Sequence, residues 1–130
     1  MTVYLDASAL VKLAAPEEET EAVLAFLAGH RSQATSVVAL VEVRRVVARR
    51  PGVAPGRVDD VLGRTIVLGL EQRTIDAAAT VGPATLRTLD AIHLASAVQL
   101  GEDLEAFVTF DRRLADAATA LGMPVASPGA

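Results

Sequence analysis

Thr2-Val3-Tyr4-Leu5-Asp6 and Ala106-Phe107-Val108-Thr109-Phe110-Asp111 decide the fold. Each is a short, largely apolar run that ends on an acid and leads into a helical pattern. Unbroken runs of this kind are what strands buried on both faces present, and such strands belong to parallel sheets covered by helices.

Working outward, strands are expected over about 2–6 and 106–110, at Gln33-Ala34-Thr35 and over about 65–68, with Pro124-Val125-Ala126 as a short edge strand. Between them the pattern turns helical. Ser8 is placed to cap a short helix through Ala14, closed by Pro16. Further helices are expected over about 17–28, 37–50 (capped by Ser36), 57–63, 72–81, 86–100 and 112–121. In the second, Val23, Leu24 and Leu27 form the apolar stripe; in the third, Val37, Leu40, Val41, Val47 and Ala48 mark the core side. Pro51-Gly52 and Pro55-Gly56 punctuate a loop, and Gly82-Pro83 breaks the chain again. Strands alternating with helices imply a βαβ sheet with helices on both faces. One domain over 1–126, with a tail at 127–130, is expected of 130 residues.

Composition narrows the chemistry. The chain is 52% hydrophobic with only 3% aromatics, so aliphatic side chains and alanine fill the core. It has no cysteine, which removes thiol catalysis, disulfides and thiolate-bound zinc. No basic region followed by an apolar stretch opens the chain, and no run approaches a membrane span, so a soluble cytoplasmic protein is expected. The net charge of −4 counts against a surface that holds nucleic acid through phosphate contacts alone. Acids concentrate at Glu17-Glu18-Glu19 and Glu21, read as the solvated start of a helix. Arginines gather at Arg44-Arg45 and Arg49-Arg50, and Lys12 is the single lysine.

The chemistry rests on Asp6, Glu42, Asp90 and Asp111. Asp6 and Asp111 stand at the carboxyl ends of strands, where open α/β sheets bind ligands. Glu42 and Asp90 lie inside apolar helical stretches, where a carboxylate is costly unless compensated. Like charges about 4 Å apart repel by roughly 4 kcal/mol at an effective dielectric of 20. A hard divalent cation would relieve that repulsion, and all-oxygen donors suit Mg²⁺ or Mn²⁺. Such a cation acidifies a bound water and polarises a phosphodiester, which is nuclease chemistry. Each acid also has a plainer reading. Asp6 and Asp111 are good helix caps; Glu42 shares a flank with Arg45 and Arg49, and Asp90 follows Arg87 by three residues. His93, in Ala91-Ile92-His93-Leu94-Ala95, reads as a hydrogen-bonded core histidine, and His30 as a solvated turn residue.

Four segments also carry a resemblance. Val3-Tyr4-Leu5-Asp6-Ala7-Ser8-Ala9-Leu10, Ser36-Val37-Val38-Ala39-Leu40-Val41-Glu42-Val43, Leu89-Asp90-Ala91-Ile92-His93-Leu94-Ala95 and Val108-Thr109-Phe110-Asp111-Arg112-Arg113-Leu114 resemble, in order, the four acidic motifs of PIN-domain ribonucleases. Chain length adds a likeness to the VapC-type toxins of toxin–antitoxin pairs. The resemblance implies a PIN-like three-layer α/β/α domain with a mainly parallel sheet of four to five strands. It implies a Mg²⁺- or Mn²⁺-dependent endoribonuclease with Asp6, Glu42, Asp90 and Asp111 as the acidic tetrad, Asp6 and Asp90 foremost as metal ligands. Ser8, Thr109 and Arg87 fall at supporting positions, and RNA, a cognate antitoxin and a second copy of the chain are the implied partners.

Other readings fare worse. A receiver-type phosphoacceptor domain needs a late lysine, and a dehalogenase-like phosphatase needs an aspartate where Ser8 stands. A non-catalytic PIN-like module that engages a partner protein is the remaining alternative.

Overall fold

The computed structural model describes residues 1–54 and 56–130, so the loop expected at Pro55-Gly56 lies partly outside the described residues. Five strands form one sheet: β1 (Thr2–Leu5), β2 (Ser32–Ser36), β3 (Ile66–Leu68), β4 (Leu104–Val108) and β5 (Val125–Ala126). Their order is β3-β2-β1-β4-β5, and every pairing is parallel. The helices are α1 (Ala7–Ala14), α2 (Thr20–Ala28), α3 (Val38–Ala48), α4 (Arg57–Gly63), α5 (Gln72–Ala78), α6 (Thr88–Val98) and α7 (Arg112–Ala120). This is the helix-covered parallel sheet the apolar runs call for.

The pleat explains the layering. On β1, Val3 and Leu5 join one core cluster, with Ala9, Leu10 and Leu13 of α1, Val43 of α3 and Val61 of α4. Tyr4 points the other way, into a cluster with Leu94 of α6, Leu114 of α7 and Phe107 of β4. Residues two apart share a face and neighbours do not, so one short strand seeds both cores. β4 repeats the pattern in register: Tyr4 lies opposite Phe107, and Leu5 opposite Val108. The two rings stack with centroids 5.2 Å apart.

The sheet order also places the site. From β1 the chain steps through β2 to β3, then returns to lay β4 on the other side of β1. Connections leaving β1 and β4 therefore diverge to opposite faces, opening a crevice at their carboxyl ends.

Several sequence expectations shift. The strand expected at 106–110 runs instead over Leu104–Val108, so Thr109-Phe110 form a link before Asp111. Ser8 is not the cap of α1; Asp6 is, and Ser8 lies within the helix. Ser36 belongs to β2, and α3 begins at Val38, although the Ser36 hydroxyl accepts the Val38 N–H at 3.3 Å. α2 starts at Thr20 rather than Glu17. The preceding glutamates are not simply solvated: Lys12 Nζ donates to Glu17 at 2.6 Å and Glu19 at 2.7 Å, and Arg50 pairs with Glu17. On α3 the buried residues are Ala39 and Val43, while Val41 is 61% exposed. Leu24 of α2 is 48% exposed, leaving Val23 to enter the core. His30 is not solvated; it packs on Phe26 and hydrogen-bonds Glu105. α5 and α6 are each shorter than their apolar patterns, ending at Ala78 and Val98. Past α7, Gly122 takes a left-handed φ of 82°, letting Met123 N–H return to the Ala118 carbonyl at 3.1 Å.

Phe107→Ala, which removes a fully buried ring from the centre of the sheet, should cost about 3–5 kcal/mol. Urea unfolding should show a lower midpoint with an unchanged slope. Leu24→Ala on the half-exposed face of α2 should stay within about 1 kcal/mol of the parent.

Candidate active site

Asp6 arrives at the carboxyl end of β1, its own N–H still paired with the Val108 carbonyl at 3.2 Å. Its side chain then caps α1: Oδ1 accepts the Ala9 N–H at 2.9 Å and the Ser8 hydroxyl at 2.6 Å. Oδ2 accepts the Thr109 hydroxyl at 2.5 Å. Both helpers reach across to the end of β4. Ser8 Oγ accepts the Phe110 N–H at 2.9 Å, and Thr109 Oγ1 accepts the Asp111 N–H at 3.0 Å. Two hydroxyls thus tie the β1 terminus to the link that delivers Asp111. Asp111 caps α7, its Oδ1 accepting the Arg113 and Leu114 N–H groups at 2.9 and 3.2 Å.

Glu42 and Asp90 come from opposite layers. Asp90 sits in the first turn of α6, with Arg87 at the N-cap. Among the described residues no ion pair joins Arg87 to Asp90 or Arg45 to Glu42, so the plainer readings of these two acids lose their partners. Glu42 Oε1 instead meets His93 Nε2 at 2.7 Å. His93 Nδ1 meets the Tyr4 hydroxyl, also at 2.7 Å. Burial, then the nearby Asp6 charge, pushes the Tyr4 phenol far above its ordinary range, so the hydroxyl keeps its proton. A protonated phenol can donate to Nδ1, which leaves the proton on Nε2 directed at Glu42. His93 is the core histidine the sequence suggests, and also the support of a site carboxylate. The signal for the second role was its spacing: three residues after Asp90, on the same flank of α6.

Asp6, Glu42, Asp90 and Asp111, with Ser8, Arg87 and His93, line one cleft of about 360 Å³. Thr109 lies buried beneath it, held against Asp6. A separate hollow of about 330 Å³, lined by Leu13, Leu27, Arg57 and Val61, holds none of these acids.

Electrostatics marks the cleft as short of positive charge. Burial raises the Asp6 carboxyl above its ordinary range, against the pull of the Ser8, Thr109 and Ala9 donors. Burial also raises Asp90; repulsion from Asp111 adds to it, His93 opposes it, and Asp6 and Glu42 contribute further. The oxygen donors fit a hard divalent cation, and the single imidazole already has both nitrogens engaged. Among the described residues, no three acids or imidazoles stand close enough to cage an ion by themselves. That arrangement suits a magnesium-like ion, which retains several waters and takes only one or two carboxylates directly.

The sign of the pH effect follows. A carboxyl whose folded pKa is raised binds its proton more tightly in the fold than in the unfolded chain. Its favourable contribution is present below the ordinary carboxylate pKa near 4 and is lost as pH rises through the raised value. Asp90→Asn should therefore raise the melting temperature of metal-free protein at pH 7 and reduce its decline between pH 4 and pH 7. Calorimetry in EDTA checks this, and a large loss of stability would instead make Asp90 a structural partner.

Comparison with known proteins places this arrangement. The PIN domain family profile matches residues 3–120. Ribonuclease VapC47 of Mycobacterium tuberculosis (strain CDC 1551 / Oshkosh) is 45% identical over 98% of each chain. Ribonuclease VapC46 of Mycobacterium tuberculosis (strain ATCC 25618 / H37Rv) is 40% identical over 97% of each. Among solved structures, Mycobacterium tuberculosis VapC20, described as a sarcin-ricin loop cleaving toxin, superposes with a TM-score of 0.69 at 16% identity, covering 97% of this chain and 99% of that one. The last likeness concerns the fold alone, but the first two extend through sequence from end to end, and the chain belongs to the PIN-domain family, within its VapC branch.

Proposed function

We propose that the chain is a metal-dependent endoribonuclease, the toxin of a toxin–antitoxin pair, that hydrolyses RNA phosphodiesters in the cleft between β1 and β4. The observation that carries this reading is the convergence of Asp6, Glu42, Asp90 and Asp111, from four separated segments, on one cleft at the switch in strand order. The ribonuclease names of the curated relatives support it. A cognate antitoxin, RNA and a second copy of the chain are its implied partners, and the cytoplasm its implied compartment. No helix among the described residues is long and apolar enough to cross a membrane.

In this reading Asp6 and Asp90 would hold Mg²⁺ or Mn²⁺ directly. The chemistry such an ion would supply is charge to offset the phosphate and a lowered pKa for a water. Asp6 is pre-oriented by its three donors, so little ordering is lost on binding. Asp111 is held by the α7 N–H groups and completes the acidic wall. Glu42, held by His93, would take the water's proton. Ser8 and Thr109 act through Asp6, and Arg87 at the rim offers a charge to a neighbouring phosphate. No protein nucleophile is required.

Purified, antitoxin-free protein should cut total RNA with Mn²⁺ and not with EDTA. Asp6→Asn should lower the rate by at least about 100-fold, the scale of several kcal/mol of metal-borne stabilisation. Identical RNA patterns from wild type and Asp6→Asn would end the nuclease reading. Mg²⁺ at ten times its Kd should stabilise the fold by about 1.4 kcal/mol, a rise of roughly 5 °C in melting temperature. Asp6→Asn should abolish that rise in the same thermal scan.

A further inference from the structure

Two shallow grooves adjoin the acidic cleft, sharing different parts of its lining, and their charges differ. One, about 400 Å³, shares Ala7, Ser8 and Glu42 with the cleft and carries Lys12, Glu17 and Arg50. Its cations are already committed. Lys12 donates to both Glu17 and Glu19 and lies over the Phe110 ring, and Arg50 pairs with Glu17. The other, about 290 Å³, shares Arg87, Asp90 and Asp111 with the cleft and adds Arg112 and Arg113. These three arginines are exposed, and among the described residues none has a carboxylate within ion-pairing distance.

The contrast matters because the chain is acidic overall, with a net charge of −4. A polyanion approaching four carboxylates needs local positive charge, and a cation already neutralised by glutamate offers little of it. Guanidinium groups suit phosphate oxygens through paired N–H donors. Arg87 comes from the start of α6, and Arg112 and Arg113 from the start of α7. Two helices of one layer thus supply one basic flank.

Resting on the ribonuclease reading, we propose that single-stranded RNA leaves the catalytic cleft on one side only, its backbone phosphates following Arg87, Arg112 and Arg113. The Lys12–Glu17–Arg50 groove is closed to phosphate by its own ion pairs. RNA is therefore held asymmetrically about the scissile bond, with more contacts to the flank that lies over the α6 and α7 starts.

The test is the salt dependence of binding, measured by fluorescence anisotropy on an end-labelled single-stranded RNA, with Mg²⁺ held constant. All proteins carry Asp90→Asn so that cleavage does not intervene. Arg112→Ala/Arg113→Ala should bind more weakly and give a shallower plot of log affinity against log salt, by up to about 1.4 for two lost phosphate contacts. Arg49→Ala/Arg50→Ala removes the same net charge elsewhere and should leave the slope unchanged. Equal loss of slope in both doubles, or none in the first, overturns the proposal, provided thermal scans show both doubles folded. The two readings fail separately. Wild-type protein that cuts RNA while the Arg112/Arg113 double keeps its slope loses the one-sided track alone. Protein that binds with the expected slopes but cuts nothing loses the nuclease reading alone.

Discussion

The structure depends on how a buried carboxylate is kept at the junction of two strands. Asp6 is 3% exposed, and an uncompensated charge there would be expensive. Three donors compensate it, and each belongs to a different structural need. The Ala9 N–H is an orphan at the start of α1, the Ser8 hydroxyl comes from within that helix, and the Thr109 hydroxyl comes from the end of β4. The same two hydroxyls accept backbone N–H groups of Phe110 and Asp111. Capping a helix, joining β1 to β4 and orienting a site carboxylate are one hydrogen-bond set, so none of the three can be altered alone.

The remaining acids are held more loosely, which fits their positions. Asp111 spends one oxygen on α7, Glu42 one on His93, and Asp90 rests on the first turn of α6 facing the others. A cleft with one fixed carboxylate and three less constrained ones can accept an ion with most of its hydration intact. Closing a rigid four-carboxylate cage without an ion would cost far more, because like charges at contact distance repel by several kcal/mol.

Much of this was legible in the chain. The apolar runs at 3–5 and 106–108 announced buried parallel strands, and the acids after them marked the sheet's carboxyl edge. What escaped were choices made by tertiary contact. Ser8 and Asp6 are both competent caps, but β1 ends at Leu5 and α1 begins at Ala7, so Asp6 takes that role and Ser8 donates to it. Val41 and Leu24 fit apolar stripes yet face outward, because the core meets α3 at Ala39 and Val43 and α2 at Val23. The glutamates at 17–19 read as solvated because Lys12, on another helix, was not predictable as their partner. His93 was legible as a core residue, but its hold on Glu42 depends on α3 and α6, from opposite faces, meeting at the carboxyl edge of the sheet.

The Tyr4–His93–Glu42 chain ties the interior of the protein to its surface chemistry. Tyr4 stacks on Phe107 in the middle of the sheet, and its hydroxyl holds the imidazole at Nδ1. Positions 4 and 93 therefore act as one unit: a phenylalanine at the first would leave His93 Nδ1 without its partner and Glu42 less firmly held from inside the protein.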